Sequence, residues 1–455
     1  MTQDSDNTIF SEEWFGGIPS NWITKRIKAL FDLHDERSYL PLNEVNLISL
    51  YSNIGVRQHA DIEHTTGNKA RNADGYKVVA QNDIIVNILL CWMGAIGRSA
   101  YDGVTSPAYD VYTPKEDINS QYYHYLFRLP AFSQQCYKVG KGIMSMRWRT
   151  YSPQFRSIIV PFPPRKEQDQ IVRFLDWKVS IVNRLINIKK KEIQSIGAMK
   201  RSVVSDAVTH GLNPTVHMKY SGVNWLGEIP EHWSILKLRQ ILHPVSVKNH
   251  PDLPLLSVVR EQGVIVRDTE DKEANHNFIP DDLSNYKVVE KGQFAMNKMK
   301  AWQGSYGVSD YTGIVSPAYF IFDVSFPNLE YFHYAIRSKV YVNFFAQASD
   351  GIRVGQWDLQ MDKMKEIPFI VPPADEQIAI VEHIKTMLPR FETAMAKLAE
   401  EVDTLEEFKT RLITDVVTGK IDVHNVEIPD YEYIEETDEM LEDNTDDMEG
   451  ELDEE

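Results

Sequence analysis

YKVVAQNDIIVNILLCWMGAIGRSAYDGVTSPAYDVY, from Tyr76 to Tyr112, aligns without a gap with YKVVEKGQFAMNKMKAWQGSYGVSDYTGIVSPAYFIF, from Tyr286 to Phe322, and 15 of the 37 positions are identical. A local repeat and a duplicated domain imply different machines, so the offset of about 210 residues has to hold outside this stretch. It does. Upstream, W-F-G-G-I-P-S-N-W at Trp14 to Trp22 matches W-L-G-E-I-P-E-H-W at Trp225 to Trp233. Downstream, Pro163-Pro164, Glu167-Gln168 and Ile171-Val172 match Pro372-Pro373, Glu376-Gln377 and Ile380-Val381. Lys200, Asp206, Val208 and Thr209 pair with Lys409, Asp415, Val417 and Thr418. One unit is written twice.

Composition bounds that unit. With 43% hydrophobic and 25% charged residues, each half has globular proportions and the length to bury its own core. No run approaches the roughly 18 apolar residues of a membrane span, and Met1 to Phe10 lacks the basic and apolar regions of a signal peptide. The expectation is a cytoplasmic chain with no membrane partner. Cys91 and Cys136 have no counterparts in the second half, so they read as buried thiols and neither a disulfide framework nor a cysteine metal site is supported.

The net charge of −18 is misleading until it is located. Asp430 to Glu455 holds 15 acidic residues and no Lys or Arg, which leaves a body of 48 basic and 51 acidic residues. Residues 424–455 are therefore expected to form a disordered acidic tail. In the body, Ile118 to Lys166 contains no Asp or Glu, while Arg128, Lys138, Lys141, Arg147, Arg149, Arg156, Arg165 and Lys166 interleave with Tyr122, Tyr125, Phe127, Tyr137, Trp148 and Tyr151. Such a stretch suits phosphate, and Arg or Lys also presents donors to guanine edges. A weaker echo in the second half includes Lys291, Lys298, Lys300, Arg337 and Lys339. The candidate DNA contacts are Lys138, Lys141, Arg147 and Arg149 in the first half, and Lys298, Lys300, Arg353 and Gln356 in the second.

Each half changes character at its Pro-Pro. Before it, short Val, Ile and Tyr segments broken by Gly, Asn, Asp and Pro imply a compact mixed α/β (α+β) domain. After it comes helix. Val172, Leu175, Val179, Val182, Ile186, Lys189, Ile193, Ile196, Lys200 and Val203 step by 3 and 4 in alternation, as do Val381, Ile384, Leu388, Phe391, Met395, Leu398, Val402, Leu405, Lys409 and Leu412. Seams of this length predict two rods that pair as a coiled coil, with these apolar positions as the interface. Val172 to Val203 would span about 48 Å at roughly 1.5 Å per residue. Pro389, without a counterpart in the first seam, predicts a kink or a later helix start there.

Tandem globular domains, P-P-x-x-E-Q-x-x-I-V leading into a long helix, and T-D-V-V-T-G-K-I at Thr414 to Ile421 resemble the specificity subunits of type I restriction-modification systems. The resemblance implies target-recognition domains at 1–164 and 212–373, a central repeat helix region at 165–211 and a C-terminal one at 374–423, the helices antiparallel and holding the domains apart. It further implies recognition of a two-part duplex DNA sequence, two methyltransferase (modification) subunits docked on the helices, and restriction subunits joining them. S-adenosylmethionine, ATP and Mg2+ would be used by those other subunits, in a bacterial or archaeal cytoplasm, with no cofactor bound by this chain. T-H-G-L at the end of the first helix departs from T-G-K-I, and the acidic tail lies outside the pattern.

No GxxxxGK[ST], HExxH or paired CxxC is present, so the chain is expected to be non-catalytic and without a metal. Asp252 with Glu270-Asp271-Lys272 is similar to a loose nuclease pattern, and His59, Asp61, Glu63 and His64 could be read as metal ligands, but neither set repeats in the other half. The competing class is a helical adaptor that binds only proteins, or a DNA-mimic antirestriction protein using its acidic tail.

Overall fold

The structure is a computed structural model, and it describes residues 14–52, 54–59, 73–142, 148–268, 279–280, 282–351 and 357–435. The chain divides into two compact units whose described parts are residues 14–187 with 402–435, and residues 188–401. Among the described residues no helix is long and apolar enough to cross a membrane.

The first unit holds strands β1 (Ile23–Arg26), β2 (Phe31–His34), β3 (Ile48–Tyr51), β4 (Gly55–Gln58), β5 (Tyr76–Val79), β6 (Ile84–Asn87), β7 (Ile96–Arg98), β8 (Gly103–Thr105) and β9 (Tyr109–Pro114). Helices α1 (Ser120–Phe127) and α2 (Pro130–Val139), strand β10 (Ile159–Phe162) and the long helix α3 (Arg165–His210), of which residues up to 187 belong to this unit, follow. An antiparallel sheet runs β2-β9-β6-β7, β3 and β4 form a hairpin, and β1 pairs with β10. The second unit repeats this as β11 (Ser234–Lys237), β12 (Leu242–Val245), β13 (Leu256–Val259), β14 (Gly263–Val266), β15 (Lys287–Val289), β16 (Phe294–Asn297), β17 (Tyr306–Val308), β18 (Gly313–Val315) and β19 (Tyr319–Val324). It ends with α4 (Leu329–Ile336), α5 (Lys339–Ala348), β20 (Pro368–Val371) and α6 (Ala374–Val417), its sheet running β12-β19-β16-β17. The duplication read from the sequence is thus a duplication of topology.

The Ser-Pro-Ala-Tyr segments are the turns that open β9 and β19. Ser106 Oγ accepts from Ala108 N at 3.3 Å and Ser316 Oγ from Ala318 N at 3.4 Å, so each serine caps its own turn. Tyr109 and Tyr319 then enter the sheet opposite Asn87 and Asn297 in the same register. At Gly103 a methyl group would come within 2.3 Å of Asn46 O, and at Gly313 within 2.4 Å of Pro254 O, so backbone approach excludes any side chain at these two positions. Aromatic packing builds the cores. Phe31, Tyr123, Phe127, Phe132 and Phe155 fill the first, and Phe294, Tyr306, Phe332, Phe345 and Phe369 the second.

The Pro-Pro-x-x-Glu-Gln motif anchors each long helix. Pro ends the strand and a carboxylate in the first turn suits the helix N-terminus. Glu167 accepts from the Trp22 indole and from Asn21 Nδ2 at 2.7 Å, while Glu376 accepts from Trp233 Nε1 at 3.0 Å. Gln168 and Gln377 are buried and donate to the prolyl carbonyls of Pro163 and Pro372 at 2.9 and 2.8 Å. The same domain receives the far end of the other long helix. Tyr122 Oη donates to Val417 O at 2.7 Å in the first unit, and Tyr331 Oη to Val208 O at 3.3 Å in the second.

Within each unit α3 and α6 run antiparallel. In the first, Val182 and Ile186 pack with Val402 and Leu405, and Val172, Leu175 and Val179 lie buried in the cluster that holds Val416 and Val417. In the second, Lys189 pairs with Glu401 at 3.0 Å and Lys200 with Glu392 at 2.9 Å, while Ile384 is buried and Leu388 packs against its cluster. Ile193 is buried there, and Ile196, Phe391, Met395 and Leu398 are half-buried. The helices exceed the 32-residue stripe, at 46 and 44 residues, because their ends pack on domains instead of in the seam. The later start foreseen for the second helix does not occur: α6 begins at Ala374 and contains Pro389.

The expectation for the chain end needs correction. Residues 424–435, placed in the disordered tail, lie along α3 within the first unit. Gln170 Nε2 donates to Val423 O and Val426 O at 3.1 and 2.9 Å, Asn183 Nδ2 to Ile434 O at 2.9 Å, and Asn187 Nδ2 to Glu435 O at 3.0 Å. Val426 and Ile428 pack against the first core, which offsets the ordering cost that the charge count took as decisive. Residues 436–455 lie outside the described residues.

Candidate nucleic-acid interface

In the first domain the polypeptide leaves β6 at Asn87, whose Oδ1 accepts from Leu89 N at 3.0 Å, and makes a single 3-10 turn at Cys91–Met93. Gly94 closes it with φ +87°, and Gly304 closes the equivalent turn, Ala301–Gln303, with φ +99°. Helix α2 packs on this turn, with Cys91 and Cys136 as buried free thiols between them. Just past the end of α2, Lys141 and Arg149 form a neck closed by reciprocal bonds, Lys141 N to Arg149 O at 2.8 Å and Arg149 N to Lys141 O at 3.0 Å. Tyr137 stacks on Trp148 across the neck at 4.7 Å and touches Trp92 at 5.7 Å.

This brings Lys138, Lys141 and Arg149 together at the neck, the two lysines exposed and Arg149 half-buried, beside a half-exposed tyrosine. Arg147 lies outside the described residues. Cations beside exposed aromatic rings can hold phosphate and stack on bases.

The second domain builds the same neck with a different charge. Ser349–Asp350 pairs with Asp358–Leu359, and Trp302 packs on Trp357 at 5.2 Å. Asp350 and Asp358 stand where the first domain has Lys141 and Arg149. Lys298 Nζ is engaged with Asp358 at 2.9 Å and Lys363 Nζ lies 3.8 Å from Asp350. Lys300 caps the 3-10 turn and is half-buried. The cation at Lys298 therefore carries its own counter-charge. Arg353 and Gln356 lie outside the described residues.

Two basic residues of the sequence-derived stretch belong elsewhere. Arg128 donates to Ile96 O at 3.2 Å and Ser52 O at 3.1 Å; Arg337 donates to Tyr306 O and, at 2.8 Å each, to Arg260 O and Glu261 O. Each ties the turn of the β3–β4 or β13–β14 hairpin to the sheet, and burial pushes both guanidinium groups downward. One helical turn earlier, His124 Nδ1 accepts from Arg98 N at 3.1 Å and His333 Nδ1 from Val308 N at 3.2 Å. His-x-x-x-Arg at the repeat offset is a signal the sequence offered; isolated from the repeat it looks like two more cations.

Among the described residues no group of three or more His, Cys, Asp and Glu could hold a metal. His59 lies 3.4 Å from Ser49 Oγ, whereas Asp61, Glu63, His64 and Glu270 to Lys272 lie outside the described residues.

The family described as Type I restriction modification DNA specificity domain matches residues 19–196, the first domain and most of α3. The MjaVIII type I restriction enzyme specificity subunit of Methanocaldococcus jannaschii is 23% identical over 381 residues, covering 78% of this chain and 84% of its own. The second domain repeats the order of the four-stranded sheet of the first. The first domain thus matches a type I specificity domain, and the chain is similar to type I specificity subunits over most of its length. A second specificity subunit from the same archaeon, of the MjaX enzyme, is 23% identical over 282 residues, 59% of this chain and 61% of its own. A chain from a solved structure of a type I restriction-modification system, concerned with complex assembly and conformational transition, superposes with a TM-score of 0.59 at 12% identity, over 89% of this chain and 100% of its own. That likeness is one of fold.

Proposed function

We propose that this chain is the DNA sequence-specificity subunit of a type I restriction-modification complex, reading a two-part duplex target with one domain per part. The observation that carries the reading is the duplicated recognition fold with two differently charged necks. Two similar modules in one chain can read unlike half-sites, because each neck is free to diverge while the helical frame is kept.

The chain does no chemistry itself. It scaffolds two methyltransferase subunits on the α3–α6 pair, and restriction subunits join that assembly in the cytoplasm of a bacterium or archaeon. Methyl donor, ATP and Mg2+ are used by those partners. Bases are read by the loops beyond the necks, and the exposed lysines set affinity and register. The test is co-expression with the cognate methyltransferase subunit followed by mapping of methylated adenines across a genome. A single two-part motif is expected; methylation without a motif, or with a continuous one, overturns the reading.

A further inference from the structure

The strap at 423–435 has no role in DNA reading or subunit docking as proposed, and it ends at a telling place. Its last described residue, Glu435, pairs with Arg57 of β4 at 2.7 Å, and Glu432 pairs with Arg184 at 3.2 Å. One carboxylate of the strap is thus already drawn onto a cation of the first domain, and another onto the long helix α3. The next 20 residues, Glu436 to Glu455, include 12 Asp or Glu and no Lys or Arg.

We propose that the strap delivers this acidic segment to the first target-recognition domain, where it competes with DNA phosphate for Lys138 and Lys141. The proposal rests on the reading of that domain as a DNA reader. Reach permits it: 20 residues extend to at most about 70 Å, and a domain of this size spans roughly 45 Å. Charge selects the first domain, since its neck is cationic and its surroundings from Ile118 to Lys166 contain no acid, whereas the second neck presents Asp350 and Asp358. Tethering raises the local concentration of the competitor, so individually weak, screened pairs suffice. Distant or unspecific DNA would be held off at low cost, and a correct target, adding base contacts, would displace the segment.

Two variants test this in the complex with the methyltransferase subunit: a chain ending at Glu435, and one whose 12 tail carboxylates are converted to amides. Without DNA, acetylation of Lys138 and Lys141 should rise in both variants relative to the full chain. Affinity for duplex DNA at low salt should rise by about three- to tenfold, the difference closing as salt screens the competitor. Unchanged acetylation of both lysines overturns the proposal whatever happens with DNA, and so does an unchanged affinity at every salt. If acetylation rises while no form of the complex binds DNA, the reading of the domain as a DNA reader fails and the tail's seat on the lysines stands.

Discussion

A half-buried guanidinium is costly unless its donors are satisfied, and Arg128 and Arg337 meet that cost by holding the carbonyls of a hairpin turn. Arg128→Ala should lower unfolding stability by about 2–3 kcal/mol, since charged hydrogen bonds disappear and carbonyls are left behind; thermal denaturation reads this directly. The neighbouring histidines add a pH dependence. Burial first, then the adjacent arginines, hold His124 down at about 3, and burial with Arg337 holds His333 at about 4. Unfolded, each titrates near its ordinary value of about 6.5, so in between the unfolded chain binds more protons. The stability contributed by the neutral rings is full above about pH 6.5 and is lost as pH falls towards 4, by up to about 1.4 kcal/mol per pH unit for each histidine. Unfolding free energies at pH 7 and 4.5 should therefore drop less in the double variant His124→Gln/His333→Gln; an equal drop would assign the acid sensitivity to other groups.

At the scale of elements, the long helices were legible because apolar residues spaced by 3 and 4 admit only one periodic structure. Their ends were not, since Ile171 and Val208 pack on domains and break the stripe. The necks were half legible. Lys138, Lys141 and Arg149 stood out by sequence proximity, but the carboxylate that pairs with Lys298 comes from a β-bridge some 60 residues on, a distance no local pattern crosses. The strap was missed because acidic counting outweighed Val426, Ile428 and Ile434, whose contacts are long-range. If the seam sets the spacing of the half-sites, one heptad inserted at Ile193 with a matching one at Val402 lengthens the frame by about 10 Å, or three base pairs. Methylation mapping should show the unread spacer longer by about three pairs and both half-sites unchanged; an active complex that keeps its spacer rules out the helices as the ruler.

Across the whole molecule, a near-neutral body with a cationic first neck predicts, if that neck meets DNA as proposed, a salt-dependent affinity. Charge reversal at Lys141 and Arg149 should weaken DNA binding by the assembled complex without blocking assembly. The slope of log affinity against log salt should become shallower by about 0.9 for each phosphate no longer neutralised. An unchanged slope would move the neck off the interface.

Each recognition domain meets the frame through the same few joints: a tryptophan on a glutamate at one helix start, and a tyrosine on a carbonyl at the opposite helix end. Parts with standard fittings can be exchanged. Recombination that brings in a foreign domain between one Pro-Pro and the preceding helix end inherits the joints with it, so, on the function proposed above, a new target would come in one genetic event without re-evolving the partner subunits.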